Sequence, residues 1–98
     1  MKFNAKNTKK ENIYNLMRGL GYHFVSEQNG EYNFIKPLAG RAFPRFDIYF
    51  KTKDDDLIIN LHLDQKAPIY KGTTAHSGEY EGPLIEKEAE RIKLNLNS

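Results

Sequence analysis

A histidine and two acidic residues on neighbouring predicted strands are the side chains best placed to do chemistry. His62 and Asp64 are two residues apart in a strand-like run, so both project from the same face. Asp47 lies across from His62 if the preceding strand pairs with this run. His76 and Glu79 follow in a polar segment able to fold over the patch. Imidazole and carboxylate groups bind zinc, manganese and iron(II), so the five residues together predict a divalent-metal site.

Two other interpretations of these residues stay open. On a solvated sheet face, His62 and Asp47 would form an ordinary cross-strand pair that contributes a few tenths of a kcal/mol. The string Asp64-Gln65-Lys66 after a hydrophobic strand is also typical of nucleases in which carboxylates hold magnesium and a lysine stabilises phosphate charge. A metal site would make the chain a small metal-dependent hydrolase.

A basic and aromatic segment surrounds the first of these strands. Residues 36–53 contain five cations against one anion, interleaved with four aromatic rings. Cations bind phosphates and exposed rings stack on bases, so this composition is typical of a nucleic-acid surface. Phe46 and Phe50 fall on the predicted core face, which leaves Tyr49 as a ring free to stack. The residues predicted to bind nucleic acid or another anion are Arg41, Arg45, Tyr49, Lys51, Lys66, Lys71 and Thr73.

Two strands that form a hairpin must position both sets of side chains. Residues 45–51 and 57–64 are joined by a charged turn at 53–56. Pairing Thr52 with Leu57 gives one unbroken apolar face and one polar face. The apolar pairs are Phe46 with Leu63, Ile48 with Leu61 and Phe50 with Ile59. The polar face pairs Asp47 with His62, Tyr49 with Asn60 and Lys51 with Ile58.

An earlier hairpin is predicted around Asn29-Gly30, because this dipeptide lies between two runs rich in aromatic and β-branched residues. A two-residue turn pairs Gln28 with Glu31. Counting back from that pair places Val25 opposite Phe34 over the core, and Phe24 opposite Ile35 on the other face.

Helical patterns flank the two hairpins. Thr8 and Glu11 form the pattern of a capping box, so the first helix should begin at Thr8 and end at Gly19 or Gly21. Tyr22 is expected at the core boundary with its hydroxyl in water. The second helix should begin at Pro83. The apolar stripes are Ile13, Leu16, Met17 and Leu20 in the first helix, and Ile85, Ala89, Ile92 and Leu96 in the second.

These elements predict an α+β fold in the order α-β-β-β-β-α. A four-stranded antiparallel sheet, made of the two hairpins, would carry both helices on one face. Residues 1–7 should be a flexible tail, and residues 8–98 a single domain with a long loop at 65–82.

Composition limits the function classes. The 98 residues suit one domain, and the net charge of +2 is too small to identify a partner. The absence of cysteine favours a reducing compartment, so a cytoplasmic location is predicted, and no apolar run is long enough for a membrane span. We therefore predict a binding module for nucleic acid or a protein partner, monomeric or homodimeric. It would use the exposed face of the second hairpin and the 65–82 loop.

Two resemblances to known families concern different halves of the chain. The strings LHLDQK (residues 61–66) and AHSGEYEG (residues 75–82) resemble those of a family of short uncharacterised bacterial proteins, a likeness that brings no activity with it. The layout of residues 9–37 is similar to that of HicA-type toxins, which cleave RNA with a double-stranded-RNA-binding-like fold. Their histidine at the start of the second strand is absent here, where Glu31-Tyr32-Asn33-Phe34 stand. The resemblance therefore implies the fold and an RNA-facing surface.

Overall fold

A computed structural model describes residues 1–8, 10–65, 78–79 and 82–97, with only the backbone of 78, 79 and 97. These residues form six strands and two helices. In chain order they are β1 (Lys2–Lys6), α1 (Ile13–Gly19), β2 (His23–Gln28), β3 (Glu31–Pro37), β4 (Arg45–Lys53), β5 (Asp56–Asp64), β6 (Gly78–Glu79) and α2 (Pro83–Asn97).

The strands form one antiparallel sheet in the order β1-β5-β4-β3-β2. The short β6 also pairs with β5, at Leu63 and Asp64, beyond the stretch of β5 that pairs with β1. The prediction of a four-stranded sheet was therefore wrong. The additional long strand, Lys2–Lys6, lies in the segment that was expected to be a flexible tail. It is ordered by backbone pairing with β5, fifty or more residues away, which local composition does not reveal.

The predicted register of the second hairpin is confirmed. Thr52 pairs with Leu57, and the apolar and polar pairs follow as the alternation requires. The face of the sheet that carries Ile48 and Leu61 packs against both helices, and we call it the helix face. The opposite face, which carries Asp47 and His62 and which no described helix covers, is the open face.

A β-bulge changes the first hairpin. The pairs Gln28–Glu31, Glu27–Tyr32 and Ser26–Asn33 agree with the two-residue turn, but the register shifts between Phe24 and Ser26. Phe24, not Val25, therefore lies opposite Phe34. An extra residue in one strand reverses the faces of every residue beyond it, which the alternation of residue types did not reveal. Val25 is left 48% exposed.

Helix α1 begins later than its sequence pattern predicted. The N-cap is Asn12, whose side-chain oxygen accepts hydrogen bonds from the amides of Tyr14 and Asn15. Thr8 forms no capping box, because its hydroxyl donates a hydrogen bond to the carbonyl of Leu96 in α2. A long-range partner therefore replaces the local one. The predicted apolar stripe is nevertheless confirmed, with Leu16, Met17 and Leu20 buried and Ile13 packed against the core.

The helix ends in a Schellman motif. The amide of Tyr22 donates to the carbonyl of Met17, and that of Gly21 donates to Arg18. Gly21 has a φ of +95°, in the left-handed region where glycine is not strained. This turn carries Tyr22 into the core, where it is 1% exposed. The expected position of its hydroxyl in water was wrong.

Helix α2 covers the β1 side of the helix face. It begins at Pro83, as predicted, and the amide of Glu86 donates to the carbonyl of Gly82 at its first turn. Its buried apolar residues are the predicted Ile85, Ala89, Ile92 and Leu96. They join the apolar residues of α1 and the sheet in one core cluster, which leaves the open face as the broad surface available for a site.

Candidate functional site

The open face brings together most of the predicted site residues that the structure describes. Register places Arg45, Asp47, Tyr49 and Lys51 of β4 in one row and Ile58, Asn60, His62 and Asp64 of β5 in the next. Arg41 lies in the exposed loop between β3 and β4, apart from these rows. Glu79 pairs with Leu63 through its backbone. Four predicted residues, Lys66, Lys71, Thr73 and His76, lie outside the described residues.

Asp47 contacts an asparagine that the sequence analysis did not identify. Its Oδ1 accepts a 2.6 Å hydrogen bond from Nδ2 of Asn33, which also donates to the carbonyl of Ile48 at 3.1 Å. Asp47 is only 8% exposed. Burial raises the pKa of its carboxyl group, the hydrogen bond from Asn33 opposes that rise, and the neighbouring Asp64 adds to it. Asp47 is therefore a desolvated acid beside a second acid, a pairing that a polar cross-strand pattern alone does not predict.

The surroundings of His62 favour the uncharged form of its imidazole. Burial lowers the pKa of His62, and the nearby Asp64 only partly opposes this effect. The ring lies 5.5 Å from the ring of Tyr49, centroid to centroid. Burial also raises the pKa of Tyr49, and the negative charges of Asp47 and Asp64 raise it further. Both rings therefore present neutral polar groups on the open face.

The predicted metal ligands are only partly described. His62, Asp64 and Asp47 share the open face, but in the described ranges no three His, Asp or Glu residues are arranged to hold a metal ion. His76 and the side chain of Glu79 are not described. The divalent-metal site stays a prediction, and elemental analysis of the purified protein, with His62→Ala as the variant that should lose the metal, tests it directly.

A groove of about 640 Å³ runs across the open face, over β1, β5, β4 and the start of β3. Lys2 and Lys51 lie in its walls, and neither has a carboxylate within 4.0 Å in the part of the chain that the structure describes. The other residues that line it are Phe3, Asn4, Glu31, Tyr49, Ile58, Ile59 and Asn60.

Only part of this groove was found from the sequence. Tyr49 and Lys51 were predicted because they alternate with core residues in β4. Lys2 and Asn4 were missed because β1 was not recognised, and the same alternation in KFNAK is the signal that would have placed them. Asn60 was placed on the polar face, but no role was assigned to it.

The predicted Arg45 has other partners. Its guanidinium lies over the ring of Phe43, 4.5 Å from the centroid, and its Nε is 3.7 Å from Oδ2 of Asp64. Both the cation and the ring therefore interact within the chain. Among the described residues, the open-face lysines that line the groove are Lys2 and Lys51.

Replacing Asp47 by asparagine should stabilise the protein at neutral pH. Because burial raises the folded-state pKa of Asp47 above its ordinary value of 3.8, stability is lost as pH rises through the folded pKa. Asparagine keeps an acceptor for Asn33 and offers an amide donor to Asp64. We expect thermal unfolding at neutral pH to show a gain of up to about 1 kcal/mol.

The control is Asp55→Asn, in the exposed turn between β4 and β5, which should change stability by less than about 0.5 kcal/mol. In acid, where Asp47 is protonated in the wild type, Asp47→Asn should be no more stable than the wild type. A destabilised Asp47→Asn protein at neutral pH would contradict the interpretation.

Comparisons with known proteins assign no family to the chain. No protein-family model, curated protein or solved structure matches it. No described helix has the length and apolar character needed to cross a membrane. The open face is therefore the feature from which we infer a function.

Proposed function

We propose that this chain is a nucleic-acid-binding module that holds a single strand in the groove of the open face. The observation that carries the proposal is that one groove is lined by Tyr49 and by Lys2 and Lys51, two cations without a described ion pair. Tyr49 is opposite Asn60 on β5, and Asn60 is opposite Lys2 on β1. An aromatic ring, an amide and an ammonium group thus lie along a single line across the sheet. The ring and the amide can contact bases, and the ammonium group can contact a phosphate.

The charges support a contact with a backbone of phosphates. Lysine ammonium groups attract phosphates without requiring a particular base, and their effect weakens as salt rises. Glu31, which lies opposite Lys51 on β3, limits the positive charge of the groove. We therefore expect modest affinity with a contribution from stacking, in contrast to the tight binding of a strongly basic surface.

The neutral groups support contacts with bases. Tyr49 is the aromatic ring of the groove wall that faces the open side, and a tyrosine ring stacks on any base. Oδ1 of Asn60 is buried and has no hydrogen-bond partner among the described residues. Leaving such an acceptor unpaired costs about 1–3 kcal/mol, so a small shift that exposes it to a donor on a base would favour binding.

Fluorescence anisotropy with labelled single-stranded RNA and DNA of roughly 12 nucleotides tests the proposal. Tyr49→Ala should weaken binding by about 5- to 150-fold, since one base–aromatic stack contributes about 1–3 kcal/mol. Tyr49→Phe should retain the affinity because it keeps the ring. Binding should be insensitive to chelators, and the oligonucleotide should remain intact.

A second pair of variants tests whether binding depends on a lysine of the groove or only on the net charge of the protein. Lys51→Glu should weaken binding at least about tenfold and flatten the salt dependence, whose slope changes by about 0.7 for each phosphate that the protein no longer neutralises. Lys87→Glu makes the same charge change on the exposed side of α2 and should have little effect. Equal losses in both variants, or the lack of binding to any oligonucleotide, would reject the proposal.

Two further features belong to the proposed function: additional anion-binding residues and a location in the cell. Lys66, Lys71 and Thr73, which lie outside the described residues, would add anion-binding groups, and the proposed location is the cytoplasm. The metal-dependent hydrolase that uses His62 and Asp64 remains a separate hypothesis. Cleavage of the labelled strand that a chelator abolishes would favour it.

A further inference from the structure

The outer edge of β2 is a second candidate binding surface, because its backbone groups have no partner strand among the described residues. Sheet order places β2 at the end of the sheet, so among the described residues no strand pairs with its outer side. An edge strand presents unpaired backbone donors and acceptors that another strand can use. No residue of β2 lines the groove, which lies over β1, β5, β4 and the start of β3.

Apolar side chains are concentrated at this edge. Phe24 and Val25 on β2 and Tyr14 on α1 are three of the seven large hydrophobic residues that are exposed in the described part of the chain. The rings of Tyr14 and Phe24 are in edge contact, 5.4 Å apart. Beside them a cavity of about 250 Å³ opens between α1 and β2, with Arg18 and His23 in its lining. The edge therefore combines free backbone groups with an apolar and cationic surface.

The charges along β2 match those of a second copy in antiparallel orientation. Arg18, in the last turn of α1, lines the cavity beside the start of the strand, and Glu27 lies near the end of the strand. A twofold axis between Val25 and Ser26 places Glu27 of one copy opposite Phe24 of the other. The register puts Phe24 and Glu27 on the helix face, so Glu27 of one copy approaches Arg18 of the other.

The opposite edge of the sheet lacks this complementarity. Strand β1 carries Lys2 and Lys6 at its two ends, and Asn4 at its centre. Antiparallel pairing of two copies centred on Asn4 would place Lys2 opposite Lys6. Like charges directly opposite each other destabilise a strand pair. Self-association of the sheet is thus favoured at β2.

We propose that two copies of this chain associate through β2 in an antiparallel pair, joining their sheets and covering Phe24 and Val25. The interface is isologous, with Arg18 and Glu27 forming the same ion pair twice. A six-residue edge is small, so the dimer is a weak one that depends on protein concentration. The proposal is independent of nucleic-acid binding, since the groove and the edge share no residue.

Sedimentation velocity between about 10 µM and 1 mM measures the association. The wild type should shift from monomer to dimer across this range, and Val25→Lys should raise the dissociation constant at least about tenfold because a charged edge residue opposes pairing. Ile58→Lys is the matched control, since Ile58 is also 48% exposed but lies on the open face. It should dimerise like the wild type. Far-UV circular dichroism of both variants shows whether each is folded.

A charge reversal tests the orientation of the pair. Arg18→Glu alone and Glu27→Lys alone should each weaken the dimer, and the double variant should recover it. Glu27 also accepts a 2.9 Å hydrogen bond from the amide of Gly30. That bond is lost in both Glu27→Lys and the double variant, so the comparison between them isolates the ion pair.

Three results would overturn the proposal. The wild type could stay monomeric at every concentration, which would show that the β2 edge does not mediate self-association. Ile58→Lys could abolish the dimer while Val25→Lys retains it, which would place the interface on the open face. The double reversal could fail to recover a dimer that both single changes weaken, which would exclude the antiparallel arrangement.

Discussion

Glu88→Ala is expected to lower the free energy of unfolding by about 2–4 kcal/mol, because it leaves the buried hydroxyl of Tyr22 unpaired and removes the carboxylate partner of the half-buried Arg91. The hydroxyl of Tyr22 donates a 2.6 Å hydrogen bond to Oε2 of Glu88. Arg91 donates to the same carboxylate through Nε at 2.9 Å and Nη2 at 2.8 Å. Nη2 of Arg91 also donates to the carbonyl of Leu20 at the end of α1. The cluster thus joins the two helices.

The electrostatics of this cluster give the effect a pH dependence. Burial acts to raise the pKa of Glu88, but the hydrogen bonds from Arg91 and Tyr22 outweigh it, so the pKa is lowered from its ordinary value of 4.5. A lowered folded-state pKa contributes stability that is complete above the unfolded-state pKa and is lost as pH falls through the folded one. The difference between wild type and Glu88→Ala should therefore shrink in acid.

Chemical denaturation at neutral and acidic pH measures this difference. Glu90→Ala, two residues along the same helix and exposed, is the matched control and should change stability by less than about 0.5 kcal/mol. Glu88→Gln, which keeps an acceptor but loses the charge, should fall between the wild type and Glu88→Ala. If Glu88→Ala and Glu90→Ala have equal stability, the carboxylate is not the link between the helices.

Phe50→Ala is expected to destabilise the protein by about 3–5 kcal/mol, the range for removing a buried aromatic ring. Phe50 is 1% exposed on the helix face. Its ring is stacked with Tyr32 at 5.3 Å and with Phe34 at 5.7 Å, centroid to centroid. Truncation leaves a cavity in the core of the helix face that the surrounding side chains fill only in part.

The same substitution at Phe24 separates burial from residue type. Phe24 also contacts Phe34, with centroids 5.4 Å apart, but it is 49% exposed. Phe24→Ala should cost about 1 kcal/mol or less at a protein concentration where the chain is monomeric. Equal losses of stability at the two positions would mean that contact with Phe34, and not burial of the ring, determines the effect. Denaturant titrations of both variants make the comparison.

The elements predicted correctly are those in which a local pattern coincides with one buried face. In β4 and β5 apolar residues alternate over many positions, so a one-residue slip would expose every one of them. The stripe from Ile85 to Leu96 in α2 repeats at helical spacing and likewise has one orientation that buries it. For these segments the hydrophobic effect leaves a single arrangement.

The errors concern segments whose partners lie far along the chain. Strand β1 is short, and it is ordered by pairing with β5. The hydroxyl of Thr8 bonds to Leu96 of α2, and the helix begins at Asn12 instead. Tyr22 is buried because Glu88 accepts its hydrogen bond. None of these contacts is visible in a window of neighbouring residues.

The candidate site shows the same division. Alternation of apolar and polar residues in β4 and β5 is sufficient to place Asp47, Tyr49 and His62 on one polar face. Tertiary structure decided which of them meet, because Asn33 of β3 hydrogen-bonds to Asp47 and Lys2 of β1 completes the groove beside Tyr49. The amino-acid sequence alone therefore determined which side chains face outward, since period-two patterning is a local property. Which outward side chains become neighbours depends on strand order, and that is settled by backbone pairing between distant segments.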